Sequence, residues 1–145
     1  MRLFAALATS VVVACTAPET PSAPATGRST FEQSGCRISR VVDGDTITIT
    51  CPDTARRNVR LTGFDTPETY KPQCAGEERL GQAATLHLRR LIAQASMVDL
   101  RTSGTDRYGR LLGRLALDGV DVARAMIAEG LAVPYSGGKR RNWCV

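Results

Sequence analysis

One dipeptide constrains this chain more than any other feature. Asp43-Gly44 stands between Arg-Ile-Ser-Arg-Val-Val (37–42) and Asp-Thr-Ile-Thr-Ile-Thr (45–50). Runs of β-branched residues favour extended strands. Asp-Gly between two such runs selects a tight two-residue turn. With Asp43 and Gly44 as the loop residues, Cys36 and Cys51 each lie seven residues from their end of the turn. Directly opposed strand positions bring their side chains within bridging distance. The hairpin therefore predicts a Cys36–Cys51 disulfide.

The remaining cysteines fall into place around this pair. The chain has 145 residues and five cysteines, enough for one domain. Met1-Arg2 is a basic start, and residues 3–13 form an apolar run too short to span a bilayer. The run closes with Val-Val-Ala-Cys. That is the pattern of an export signal with a small residue before the cleavage point. It looks like a bacterial lipobox, which makes residues 1–14 a lipoprotein signal peptide and Cys15 the acylated residue. An ordinary signal peptide with an incidental cysteine, or a buried helix, are the alternatives. Residues 15–34 contain three prolines among Ser, Thr, Ala and Gly, and are expected to be a disordered tether. The folded domain is then expected over 35–145. With Cys15 assigned to lipid, Cys74 and Cys144 are left to form the second disulfide, as suits an exported chain. No C-x-x-C pair occurs, so a zinc site is not indicated.

The rest of the domain has a readable order. Residues 56–64 read as a third strand. Residues 76–95 read as a helix, with Leu80, Ala84, Leu88, Leu91, Ile92 and Ala95 recurring every three or four positions. Residues 97–101 and 111–117 read as two further strands. Residues 120–129 read as a second helix, stopped by Gly130. The order β-β-β-α-β-β-α predicts an α+β fold: a five-stranded OB-fold barrel with about two helices. Such barrels often bind oligonucleotides, but the fold alone does not establish it. The chain carries 19 Lys and Arg against 14 Asp and Glu, a net charge of +5. This excess mildly favours an acidic partner.

Three short segments carry chemistry-bearing residues: Asp43-Gly44-Asp45-Thr46, then Arg60 through Glu68, then Asp106-Arg107-Tyr108-Gly109-Arg110. Each alone has a plain structural explanation, as a turn, a solvated loop or a hairpin tip. Together they hold the parts that phosphodiester hydrolysis needs. Carboxylates bind hard cations. Guanidinium groups grip phosphate oxygens in forked pairs. A further carboxylate can orient or deprotonate water.

These segments, in this order, resemble the signature segments of the staphylococcal-nuclease (thermonuclease) family. The resemblance spans about residues 38–135. It implies a calcium-dependent nuclease acting on DNA and/or RNA, preferably single-stranded or loosened, and leaving 3′-phosphate ends. In that reading Asp45 and Asp65 are Ca2+-binding carboxylates, and Thr66 adds its backbone carbonyl. Glu68 activates or orients the attacking water. Arg60 and Arg110 grip the scissile phosphate and stabilise the transition state. Arg107 and Tyr108 lie beside the nucleotide phosphate, and Tyr135 corresponds to a base-stacking tyrosine. A monomer is expected, touching the membrane through its N-terminal lipid alone.

Other residues receive plainer roles. Asp43 is read as structural or as lying just outside the metal ligands. His87, the single histidine, is read as sitting at the edge of the helix's packed face. Glu77 and Glu78 fall in the first helical turn, where acids complement the dipole. Trp143 is expected to pack beside Cys144. Lys139-Arg140-Arg141 is read as a solvated tail or a contact to a nucleic-acid backbone. Two other classes of function remain: a non-catalytic module binding nucleic acid or protein on the same fold, and a structural lipoprotein of the cell envelope.

Overall fold

The computed structural model describes residues 29–144. The expected signal peptide, the expected acylation at Cys15 and the expected tether as far as residue 28 lie outside the described residues.

The hairpin forms as β1 (Arg37–Asp43) and β2 (Thr46–Cys51). Asp43 pairs with Thr46, so the loop residues are Gly44-Asp45, one position later than the sequence predicted. Two causes are visible. The Asp43 carboxylate accepts the Gly44 N–H at 2.7 Å, which closes the turn locally. A Cβ on Gly44 would lie 2.8 Å from both the Ala84 Cβ and the Thr66 Oγ1, so this position must be the glycine pressed against its neighbours. Irregularities between Val41 and Asp43 and between Ile38 and Arg40 then absorb the offset. By Arg37↔Thr50 the register is the predicted one, and Cys36 bonds Cys51 with their Cα atoms 4.1 Å apart. The disulfide follows from the turn and two bulges together, not from the turn alone.

The sheet continues through β3 (Thr54–Leu61), which pairs antiparallel with β2. β4 (Gly63–Asp65) follows after a break at Thr62. The long helix α2 (Ala75–Gln94) crosses to β5 (Val98–Thr105), which pairs with β6 (Leu111–Leu117). β6 returns parallel to β3. The order is β1-β2-β3-β6-β5, a curled mixed sheet whose two outer strands are not paired to each other. This is the partly open OB-type barrel that the order of elements predicted, with α and β structure combined. The predicted third strand is two strands. Thr62 turns away to donate to the Gly113 carbonyl at 2.8 Å, and β4 leaves the main sheet to pair with β8 (Val133–Tyr135).

The predicted second helix also starts later. Val120–Asp121 is a short strand, β7, on the β6 edge. Asp121 then caps α3 (Val122–Ala128), its carboxylate accepting the Arg124 N–H.

The tether was expected to reach Ser34. Within that stretch, Thr30–Gln33 is instead a helical turn, α1, with a full capping box from Ser29 and Glu32 and with Phe31 buried. Glu32 accepts the Val98 N–H at 3.2 Å, and the Ser29 hydroxyl donates to the Val98 carbonyl. α1 thus covers backbone groups at the free edge of β5, where an unpaired strand would otherwise invite association.

The core lies between the curled sheet and the inner faces of α2 and α3. Ile47, Val59, Leu61, Phe64, Leu88, Val122 and Met126 are almost wholly buried. Full burial of each such side chain contributes roughly 1.5–3 kcal/mol. Polar residues are buried too, and four of them, Asp45, Thr46, Asp65 and Thr66, gather at the hairpin end of the barrel. Buried carboxylates need compensation, and that end is where the site forms.

Candidate functional site

The tight Gly44-Asp45 turn, the β3–β4 break and the first turns of α2 converge at one end of the barrel. Gly81 on α2 meets the chain so closely that a Cβ there would lie 2.8 Å from the Glu68 carbonyl oxygen. The Asp65–Glu68 segment is thereby held between the hairpin and the helix. A cleft of about 630 Å³ opens above it, lined by Asp43, Asp45, Arg60, Glu68, Asp106, Arg107, Tyr108, Arg110, Tyr135 and Arg140 among others.

Two arginines stand among the carboxylates. Arg60 Nη1 lies 2.9 Å from Asp45 Oδ2, and its Nη2 lies 3.2 Å from Asp65 Oδ1. The same guanidinium donates to the Leu61 carbonyl at 2.7 Å and the Phe64 carbonyl at 3.2 Å. Arg60 therefore ties the carboxylates to the β3–β4 corner as well as facing the cleft. Arg140 comes from the C-terminal segment. Its Nε lies 2.7 Å from Asp65 Oδ1, and its Nη2 donates to the Thr66 carbonyl at 3.1 Å. Its Nη1 bonds Glu68 Oε1, and its Nη2 lies 4.0 Å from Asp45 Oδ2. The sequence reading missed this residue, because nothing local in Lys-Arg-Arg tells which arginine turns inward.

Asp65 is fully buried. Burial pushes its carboxyl above the usual value, against the lowering pull of Arg140 and Arg60. Asp43 is also raised, chiefly by burial, with Asp45 and Glu68 adding to the rise. Its carboxylate serves the turn and the Thr85 hydroxyl.

Across the cleft, Asp106 organises the loop before β6. Its Oδ1 accepts the Tyr108 and Arg110 N–H groups, and its Oδ2 accepts Arg110 Nε at 2.8 Å. This spends Arg110's Nε and aims its terminal nitrogens. Arg107 donates to the Tyr108 hydroxyl and lies over its ring. Tyr108 is largely exposed. Tyr135 stands on β8 opposite Gly63, with its hydroxyl donated to the Gly138 carbonyl.

Glu77 is a second residue that the sequence reading placed too simply. It is buried, and its carboxylate accepts the backbone N–H of Glu68 at 3.4 Å and that of Gln73 at 2.7 Å. It holds the backbone of Glu68 rather than merely complementing the helix dipole. His87 is half-buried on α2, as expected of a residue at the edge of the packed face.

Whether a hard cation fits can be judged from the oxygens themselves. Among the described residues no three His, Cys, Asp or Glu side chains form a ready metal cage. Two carboxylates, Asp45 and Asp65, and the Thr66 carbonyl do converge, since one guanidinium reaches toward all three. Asp65 Oδ2 is buried without a hydrogen-bond partner among the described residues. An all-oxygen set with a spare buried carboxylate oxygen suits Ca2+, which accepts irregular geometry and completes its shell with water. The residues fit the ion.

A curled five-strand barrel that gathers buried carboxylates and arginines at one open cleft defines the class: an OB-type domain with a charged cleft at its hairpin end. Within that class the chain belongs to the staphylococcal nuclease homologue family, whose sequence pattern matches residues 58–142. It is 34% identical over 106 residues to the thermonuclease of Staphylococcus hyicus, covering 73% of this chain and 62% of that protein. It is 35% identical over 95 residues to the thermonuclease of Staphylococcus intermedius, covering 66% of this chain and 56% of that one. It is 31% identical over 105 residues to endonuclease YhcR of Bacillus subtilis (strain 168), covering 68% of this chain but 9% of that much longer protein. The chain thus spans less than two thirds of the length of these relatives.

Proposed function

We propose that this protein is a Ca2+-dependent nuclease that hydrolyses phosphodiester bonds of DNA and/or RNA. The observation that carries the reading is the meeting of Asp45, Asp65, Glu68, Arg60 and Arg110, from three separate segments, at one cleft. The names of the relatives, two thermonucleases and an endonuclease, support it.

In this reading Asp45, Asp65 and the Thr66 carbonyl hold the ion. When bound, the ion neutralises phosphate charge and polarises the reacting phosphoryl group. The chain does the rest. Glu68, at the edge of the carboxylate cluster, orients the attacking water or takes its proton. Arg110, braced by Asp106, offers its terminal nitrogens to the phosphate oxygens as charge builds in the transition state. Arg60 adds positive charge from below while keeping Asp45 and Asp65 in place. Tyr108, Arg107 and Tyr135 line the approach, where aromatic faces and cations suit single-stranded nucleic acid. The protein acts as a monomer, exported and anchored by a lipid on Cys15; the two disulfides support an oxidising compartment.

The test follows acid-soluble nucleotide released from denatured DNA and from RNA, in Ca2+ and in chelator. Wild type should cleave with Ca2+ and stop with chelator. Glu68→Gln and Arg110→Ala should each lower turnover by about 100-fold or more while remaining folded. Oligonucleotide binding without turnover in Ca2+ would defeat the enzymatic reading and leave a binding module.

A further inference from the structure

We propose that Arg140 is the resident counter-cation of the carboxylate site and that a divalent cation must displace it in order to bind. The inference rests on the calcium reading above and extends it to a residue which that reading does not use.

The geometry is specific. Arg140 touches Asp65 Oδ1 at 2.7 Å, the Thr66 carbonyl at 3.1 Å and Glu68 Oε1, and its Nη2 stands 4.0 Å from Asp45 Oδ2. These are the oxygens assigned to the ion, together with the carboxylate assigned to the water. A divalent cation held by Asp45, Asp65 and the Thr66 carbonyl together would meet the Arg140 guanidinium, which spans these same groups, and two like charges in one partly buried site repel. The competition is also needed by the fold. Asp65 is fully buried, and a buried charge without an adequate partner is strongly destabilising. Arg60 supplies part of that partnership through one terminal nitrogen. Arg140 adds a second cation on the same carboxylate oxygen, so the metal-free protein offsets much of this buried charge internally.

The tail is held for this purpose. Arg140 lies four residues before Cys144, which is bonded to Cys74 at the start of α2. Four residues reach at most about 14 Å, so the bridge keeps the guanidinium at high local concentration beside the site. Neighbouring side chains do not take its place: Arg141 lies over the Trp143 ring instead. Once displaced, Arg140 needs no unfolding to leave, because its side chain is already partly exposed at the cleft wall.

The experiment is Ca2+ titration by calorimetry, paired with thermal melts in chelator and in Ca2+. It uses the oxidised protein as wild type, Arg140→Gln and Lys139→Gln. Lys139→Gln removes the same charge from the neighbouring exposed position and controls for long-range electrostatics. If Arg140 occupies the site nine-tenths of the time, Arg140→Gln should bind Ca2+ about tenfold more tightly than wild type. Lys139→Gln should change little. In chelator Arg140→Gln should melt below wild type, and Ca2+ should raise its midpoint by more than it raises that of wild type. Equal or weaker Ca2+ binding by Arg140→Gln overturns the proposal while leaving the calcium reading intact. An absence of Ca2+ heat and of any Ca2+-linked melting shift in all three proteins overturns both.

Discussion

Asp106 shows how a single side chain prepares another for work. Burial pushes its carboxyl up, but the Arg110 guanidinium and the Arg110 and Tyr108 N–H groups outweigh this, and the net shift is below the usual 3.8. A depressed carboxyl contributes stability that is present above the unfolded value and is lost as pH falls through the folded one. Asp106→Asn should therefore be less stable than wild type at neutral pH. The gap should close as pH drops below 3.8, which urea melts at several pH values would show. The same substitution loosens Arg110, so turnover at neutral pH should fall by about tenfold or more, since small misplacements of a catalytic group are costly. A stability gap that persists unchanged well below pH 3.8 would mean that the carboxylate charge is not what matters. At this scale Asp45, Asp65, Glu68, Arg60 and Arg110 were legible because their residue types match the chemistry and each sits in a short, distinctive segment. Arg140 was not, because its position depends on a disulfide 70 residues long in sequence and on the path of the tail, neither of which leaves a local pattern.

α2 is more than a lid on the core. Its first turn is capped by the Cys74 Sγ, which accepts the Glu77 N–H, and its Glu77 carboxylate reaches back to the backbone N–H groups of Glu68 and Gln73. Gly81 lets the Pro67 and Glu68 carbonyls lie against the helix. The helix itself was readable from its three- and four-residue periodicity, and its ends came within a residue of those predicted. Its function was not, since an acid in a first turn looks the same whether it faces water or a neighbouring loop. Glu77→Gln replaces one of two accepting oxygens with a donor, leaving a buried N–H facing an N–H. The expected cost is about 1–3 kcal/mol of stability. Turnover, measured far below the melting range, should fall as well, because Glu68 loses its backbone anchor. Unchanged turnover at reduced stability would show that the anchor supports the fold and not the chemistry. β8 and the turn α1 went unread, and β4 was joined to β3, for a related reason: three or four residues carry too little periodicity to stand out on their own.

At the scale of the whole molecule, two crosslinks divide the work unequally. Cys36–Cys51 joins facing ends of a hairpin that the β1–β2 ladder already closes, over a separation of 15 residues. Cys74–Cys144 spans 70 residues and fastens the C-terminal segment, with its buried Trp143, to the start of α2. Loop-closure entropy assigns about 3 kcal/mol to the shorter loop and about 4 kcal/mol to the longer. The physical difference should be wider than that. In the hairpin, strand pairing holds the ends together without the bond. At the tail, no strand pairing within the described residues follows Tyr135, so the bond shares the restraint of residues 136–144 only with side-chain contacts such as those of Arg140 and Trp143. Cys74→Ser with Cys144→Ser should therefore lower the urea midpoint clearly more than Cys36→Ser with Cys51→Ser. The first pair of substitutions should also expose Trp143, seen as a red shift of its fluorescence before global unfolding. Since Trp143 is the single tryptophan, the signal reports this segment alone. An equal or reversed order of midpoints would mean that the tail is held by its packing and the Arg140 ion pairs, with the covalent bond adding little.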